Sequence, residues 1–466
     1  MASNCVQNPL FTGAKIPQVT IQPKDVLELQ MVVRKAREEK FGLVPVSSGR
    51  PHIKSGLFCN RAHALVDLSE WKNIEWINRR NRVCIIQPGV TYGKLKKTLQ
   101  KSGLTIPMPI APRSSKSILA AVMDREPSTW PRMQWDMQDP VASTEFVFGT
   151  GKLFRSGGAG SPGSLEKQRA SKAAQKNPLG PGQSDFQRVV MGSQGSMGIV
   201  TWISLRAEIA PTIERPLMIG RNRLTDIIPY VYQVQRAWLG EESFIMNRTA
   251  AAMLLDHESK KTFEAIRDSA PEFICLQNIA GFERLPGERL EYQLDDMKEI
   301  AKASGLELTE GIGEIDADNL LKTARSPCGP NDWRYSLKGC CLSVFFLSLL
   351  DKSETYISLA TDVLASFGIG GESTGVYIQP ILQNHACHFE FMIPFNPHDE
   401  NEVDRMRRVE ADLTKRLLEA GAFFSRPYGT MADTVFKKNP GNTRLIKIAK
   451  KLFDPDNILN PGKFSL

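Results

Sequence analysis

Three short stretches hold residues whose type and spacing suit a chemical site. The first is Gly-Ser-Gln-Gly-Ser-Met-Gly-Ile-Val at 192–200, three glycines in seven residues followed by a β-branched and aromatic run. Glycine at that density removes side chains where the backbone must come close to something. The run after it reads as a buried strand. Such a turn presents backbone N–H groups to a phosphate or a ring system, although a tight turn at a sheet edge has the same composition. The second is Ser47-Ser48-Gly49-Arg50-Pro51, a polar turn with a glycine and a guanidinium that follows the short apolar run 43–46. The third is His385-Ala386-Cys387-His388-Phe389-Glu390-Phe391. Its alternation predicts a strand with His388 and Glu390 on one face and His385 and Cys387 on the other. A fourth stretch, Gly158-Ala159-Gly160-Ser161-Pro162-Gly163, spells G-x-G-x-x-G. It follows the second arm of a hairpin and leads into Lys, Arg and Gln rather than an apolar helix face, so the dinucleotide reading fails.

The elements that must position these residues can be read from periodicity. Leu27, Leu29, Val32, Val33 and Ala36 predict a helix over 23–40. Strands are expected at 43–46, 64–68 and 83–90, and Thr91 caps a helix over 92–102. Residues 146–154 read as a hairpin around Gly149-Thr150-Gly151. The Gly/Pro/Ser/Lys-rich stretch 157–184 is too polar for a core and is expected to be a mobile surface loop. Beyond residue 210 the texture changes. Helical patterns at 227–239, 249–268, 288–304 and 352–367 alternate with strands at 272–277, 342–347 and 385–393. A basic helix from 445 precedes the tail Asn457-Ile458-Leu459-Asn460-Pro461-Gly462-Lys463.

With 466 residues the chain exceeds the roughly 250–300 that one core supports, so two domains are expected. The apolar share of 41% and charged share of 24% are ordinary for a globular protein. The net charge of +8 is spread in small groups rather than in a basic run interleaved with aromatics, which argues against nucleic acid. An anionic cofactor or substrate accounts for part of it. The longest apolar stretch, 340–350, is far short of the ~20 residues of a membrane span. The first residues lack a basic-then-apolar leader, and the eight cysteines show no C-x-x-C. A disulfide framework and an internal iron–sulfur cluster are therefore not expected, and a reduced cytoplasmic setting is.

Four segments in order, Pro45–Pro51, Gln87-Pro88-Gly89-Val90-Thr91-Tyr92-Gly93-Lys94-Leu95, Gly195–Thr201 and Asn457–Lys463, resemble the FAD-linked oxidase superfamily. Within it they are most similar to the vanillyl-alcohol oxidase and p-cresol methylhydroxylase branch. The resemblance implies an α+β, two-domain FAD-binding fold with an α+β cap. Residues 1–210 would form the FAD-binding domain, 211–420 the cap and substrate domain, and 421–466 a C-terminal segment returning to the first. Ser47, Ser48, Gly49, Arg50 and Pro51 would bind the diphosphate. Gly195, Ser196, Gly198, Ile199 and Val200 would lie along the flavin, with Asn460 and Lys463 returning beside it. His388 lies in the strand where some relatives attach FAD.

The resemblance also has departures. The branch carries a glycine-rich segment where this chain has Ser117-Ile118-Leu119-Ala120-Ala121-Val122-Met123-Asp124-Arg125-Glu126-Pro127. Asp136 falls where the branch keeps a carboxylate near the flavin, a group that can act as base or stabilise developing charge. The phenolate-binding arginine matches Arg426, while the two tyrosine positions hold Lys54 and Ser425. Lys54 and Arg426 still make an anion pocket, and Tyr335, Tyr377 and Tyr428 could supply a phenol from another side. The 2-hydroxy-acid branch has metal-binding histidines and a later Glu-His-Gly. Here Ser425-Arg426-Pro427 stands there, so no metal is expected, because an arginine cannot ligate one. The reading is an FAD-dependent oxidoreductase that takes a hydride from an anionic organic substrate, phenolic or hydroxylated, with Asp136, Arg426 and Lys54 as catalytic residues. Electrons would leave through dioxygen, a quinone or a partner subunit carrying haem or an iron–sulfur cluster, and an oligomer is expected. The alternatives are a lactate- or glycolate-type 2-hydroxy-acid dehydrogenase, and a degenerate flavoprotein-like subunit of a redox complex.

Overall fold

The computed structural model describes residues 9–10, 15–49, 59–133, 140–160, 163–170, 186–256 and 263–463. The first unit is built from two sheets. Val19–Ile21, His63–Asp67 and Gly42–Val46 form a parallel sheet in that spatial order. The helix Val26–Glu38 makes the crossover. Asp25 caps it by accepting from the Glu28 N–H, and its buried stripe of Leu29, Val33 and Ala36 fits a helix packed on one face. That stripe packs in one cluster with Leu43, Val66, Ile458 and Leu459, so the far end of the chain completes this core.

The second sheet is antiparallel, in the order Ile74–Asn78, Val83–Ile86, Ile199–Arg206, Val141–Val147, Leu153–Arg155. Its central strand is the run that follows the glycine turn. Both faces of that strand are covered, since Ile203 and Leu205 pack with Leu95 and Leu99 of the helix Tyr92–Gln100, and Trp202 with Ile85 and Ala159. Coverage on both faces explains why the sequence there is continuously apolar rather than alternating.

The third sheet has six antiparallel strands in the order Ile213–Arg221, Phe273–Gly281, Glu242–Asn247, Gly375–Ile381, Ala386–Phe395, Cys340–Ser348. One face carries the helices Ile228–Arg236, Pro286–Ala303, Ser353–Ser366 and Glu400–Glu419 through Tyr230, Leu294, Tyr356 and Val409. The other face carries the helices Arg248–Asp256 and Ala317–Ala324 over part of its area, through Leu254 and Leu320 packed with Phe244 and Ile274. The C-terminus closes the path. The final helix Pro440–Phe453 leads into a segment whose Ile458 carbonyl accepts from the Leu43 N–H and whose Asn460 N–H donates to the Leu43 carbonyl, each at 2.7 Å.

Several local expectations change. Thr91 occupies the N-cap of its helix without a side-chain bond to it. A strand the periodicity missed, Ile74–Asn78, is short and only half-buried along its whole length. The pattern at 249–268 becomes two helices, Arg248–Asp256 and Phe263–Asp268. His385 is exposed in the turn before its strand and not on the strand face opposite His388. In the stretch 157–184 the described parts are a turn of 3-10 helix, Gly157–Gly160, and the helix Leu165–Ala170; residues 161–162 and 171–184 lie outside the described residues. Among the described residues no helix is long and apolar enough to cross a membrane.

Candidate active site

A cavity of about 340 Å³ runs between the first unit and the part of the six-stranded sheet formed by Cys340–Ser348, Gly375–Ile381 and Ala386–Phe395. Its first wall comes from the motifs that stood out in the sequence. Ser47 and Ser48 line it at the end of the strand Gly42–Val46. Ser48 Oγ accepts from the Ser117 N–H at 2.9 Å, and the Gly49 N–H donates to the Ser115 carbonyl at 2.9 Å. A Cβ on Gly49 would stand 3.0 Å from that of Ser115, so glycine is what allows the two segments to close. The glycine-poor segment forms the short helix Ile118–Met123, capped by Ser117, and Leu119, Ala120, Met123 and Asp124 line the cavity.

The glycine turn forms the facing wall through Gln194, Gly195, Gly198, Ile199 and Val200. Gly195 has φ +71°, and a Cβ there would meet Pro45 Cγ at 2.9 Å, so the turn can lie on the strand end only as glycine. Ser196 differs from its neighbours. Its hydroxyl donates to the Ser193 carbonyl and its own carbonyl accepts from Lys450 Nζ, both away from the cavity lining. Asn460 lines the cavity, donates from Nδ2 to the Gln194 carbonyl at 2.6 Å, and leaves Oδ1 buried with no hydrogen-bond partner among the described residues. Lys463 is buried beside it. Burial pushes its amine down to about 7, against the opposing pull of Cys59 and Asp124.

The far wall is polar and aromatic. His388 and Glu390 share the cavity face of their strand, as alternation requires, with His388 Nε2 3.8 Å from Glu390 Oε2. Arg334 grips Glu390 with two bonds of 2.9 Å and reaches Asp332 at 3.1 Å. Burial pushes the Glu390 carboxyl up, and Arg334 with His388 outweighs it, holding it well below the carboxylate range. Arg334 is thus already neutralised. Arg426 is not. It is buried, its guanidinium lies 4.4 Å over the Phe345 ring, and Nη1 has no hydrogen-bond partner among the described residues. Asp124 Oδ2 stands 4.0 Å from it and accepts instead from the Tyr428 hydroxyl. Burial and then Asp124 push that phenol well above its ordinary value, so it stays a donor. Glu410, raised by burial, also lines this end.

The cavity thus brings together backbone turns, the unbonded acceptor of Asn460 and a buried guanidinium with one unbonded nitrogen. Residues 17–157 match the FAD binding domain family, and residues 385–464 match the C-terminal domain of FAD linked oxidases. The chain belongs to the FAD-linked oxidase superfamily. Its fold is that of p-cresol methylhydroxylase, whose substrate-bound crystal structure superposes with a TM-score of 0.85 at 17% identity over 98% of this chain and 90% of that one. In sequence, this FAD-linked oxidase is 24% identical to a D-2-hydroxyglutarate dehydrogenase of Stutzerimonas stutzeri over 97% of this chain and 91% of that protein. It is 23% identical to a D-lactate dehydrogenase of Anaerostipes hadrus over 97% and 90%. The cofactor is FAD, and the glycine cradles at 49 and 195 and the open Asn460 Oδ1 fit it.

Of the residues singled out from sequence, Ser47, Ser48, Gly195, Gly198, Ile199, Val200, His388, Arg426, Asn460 and Lys463 meet on this one cavity. Gly49 and Ser196 support it from behind. Arg50, Pro51, Lys54 and Asp136 lie outside the described residues. Sequence reasoning missed Arg334, Asp124 and Phe345 as wall residues. Each is isolated in its motif, and only the packing of the sheet brings Arg334 to Glu390 and Asp124 to Tyr428. The departure at 117–127 was itself the available signal for Asp124.

Proposed function

We propose that this FAD-linked oxidoreductase removes a hydride from a small organic anion whose negative group is held by Arg426. The observation that carries this reading is the buried Nη1 of Arg426, a charged donor without a hydrogen-bond partner among the described residues. A buried guanidinium nitrogen without a hydrogen bond is costly, Asp124 approaches it only to 4.0 Å, and a substrate carboxylate or phenolate supplies the missing hydrogen-bond partner in a geometry its fork accepts. Bound FAD supplies the two-electron acceptor. Ser47, Ser48 and the turn at Gly195–Gly198 would hold its length, with Asn460 and Lys463 beside it. Phe345 and Tyr428 fix the substrate's plane, and the His388–Glu390 pair offers a proton acceptor beside them on the same wall, the His388 ring lying 5.8 Å from that of Phe345. Asp136 and Lys54 are proposed to add charge to the same pocket. Electrons then pass to an external acceptor, either a quinone, dioxygen or a redox partner subunit.

A second reading is favoured by one specific observation. Two hydroxy-acid dehydrogenases match this chain nearly end to end, which supports a 2-hydroxy acid whose carboxylate sits on Arg426. The two readings share the anion and differ in the reacting carbon. Purified protein loaded with FAD is mixed without oxygen with 4-alkylphenols and, separately, with D-2-hydroxy acids, and the flavin absorbance is followed. Bleaching by phenols alone selects the first reading, and bleaching by hydroxy acids alone selects the second. If neither class bleaches it, or if Arg426→Gln bleaches as readily as the parent, the anion reading fails.

A further inference from the structure

The final helix, Pro440–Phe453, is amphipathic, yet it buries only part of its apolar arc. Lys450 and Phe453 are its buried residues, and Phe453 stacks on Phe148 with centroids 4.7 Å apart. Leu445, Ile448 and Leu452, spaced i, i+3 and i+7, are 65%, 57% and 69% exposed. At 3.6 residues per turn they form one stripe on the outward face. Arg444, Lys447 and Lys451 edge that stripe, all three exposed, and no ion pair joins them to a described residue. Lys437 and Lys438, exposed at the end of the preceding helix Gly429–Lys438, add to the same sign.

From this face we infer that the helix docks the protein on an anionic lipid surface. Charge complementarity selects the occupant. Unpaired cations beside an aliphatic stripe match anionic headgroups over acyl chains, with the lysine stems lying along the apolar boundary and their ammonium groups in the headgroup layer. The net charge of +8 adds attraction at longer range. A second copy of the chain fits less well, because a two-fold contact would bring Arg444, Lys447 and Lys451 against themselves. A protein partner fits less well too. Such interfaces are enriched in aromatic residues and depleted in lysine, and this stripe has the reverse composition. The inner face of the helix gives the docking a use. Lys450 Nζ donates to the Ser196 carbonyl at 2.6 Å, so a quinone dissolved in the bilayer would meet the protein about one helix diameter, ~10–12 Å, from the turn that lines the cavity. The docking itself does not depend on which substrate the cavity takes.

The test is flotation of the FAD-loaded protein with phosphatidylcholine vesicles, with and without phosphatidylglycerol. The protein is expected to float with the anionic vesicles at low salt, to be released by high salt, and to stay behind with phosphatidylcholine alone. Lys447→Glu with Lys451→Glu is expected to weaken binding about 30-fold or more. Ile448→Glu is expected to abolish it, with an unchanged melting curve showing that the fold is kept. No flotation with anionic vesicles overturns the proposal, as does flotation unaffected by both variants. An oligomer that falls to monomers on Ile448→Glu, with no vesicle binding by the parent, also overturns it and assigns the stripe to a protein interface.

Discussion

Lys450→Met is the most informative single change in the molecule. Lys450 and Asp454 form a buried ion pair whose side chains are 5% and 0% exposed. Lys450 Nζ also donates to the carbonyls of Ser196 and Leu459, at 2.6 and 2.8 Å. Asp454 accepts in turn from the N–H groups of Ile458 and Leu459, at 3.0 and 2.7 Å. One lysine thus ties the final helix to the turn that lines the cavity and to the C-terminal segment. Methionine keeps most of the volume but removes three charge-assisted bonds and leaves the Asp454 carboxylate buried without its cation. Removing one partner of a buried pair costs about 3–5 kcal/mol. The two backbone donors that still reach Asp454 argue for the lower half of that range. Urea denaturation of the FAD-free protein measures this directly, since bound cofactor would otherwise mask the loss. Lys447→Met, exposed on the same helix, is the control and should stay within about 0.5 kcal/mol. Adding Asp454→Asn to Lys450→Met should recover part of the loss by removing the unpaired charge. A change below about 1 kcal/mol for Lys450→Met would refute the view that this pair clamps the cavity wall.

Three further outcomes follow from the cavity itself. Arg426→Gln should lower kcat/KM by about 30-fold or more, the roughly 2–5 kcal/mol of a truncated buried charge pair, with FAD binding retained; equal loss of FAD would place Arg426 in cofactor binding instead. Gly195→Ala forces a non-glycine residue to φ +71° against Pro45 and should cost about 1–2 kcal/mol and weaken FAD binding. Gly441→Ala, with nothing within 4 Å, should do neither, and equal fluorescence titrations for the two would contradict the cradle. Lys463, pushed down to about 7 by burial, is neutral in the folded FAD-free protein above that pH, while the unfolded chain stays protonated until roughly 10.4. The unfolded state then binds more protons, so stability rises with pH across that window by up to about 1.4 kcal/mol per unit. Lys463→Met should flatten that rise, and identical slopes for parent and variant would discount the buried amine.

The sequence by itself made the helix 23–40 and the strand after Gly198 readable, the first because its apolar residues recur at helical spacing behind a capping Asp, the second because a β-branched and aromatic run follows a glycine turn. It also paired His388 with Glu390, since the two-residue repeat of a strand needs no partner to be recognised. The half-buried strand Ile74–Asn78 was not readable, for it owes its existence to pairing with Val83–Ile86 rather than to its own pattern.

What composition and local spacing determined was the pair of close backbone turns at the cavity. A glycine is a statement about the backbone, and the turns at 49 and 195 need no knowledge of the rest of the chain. What only the tertiary structure decided was the balance of charge facing those turns. Resemblance singled out Arg426 and not Arg334, but nothing local to either arginine shows which one lacks a close carboxylate. Packing gives Arg334 two carboxylates and leaves Arg426 with an unbonded nitrogen 4.0 Å from a carboxylate already held by Tyr428. Charge compensation is a through-space property, and residues far apart in the chain settle it only once the sheet has brought them together.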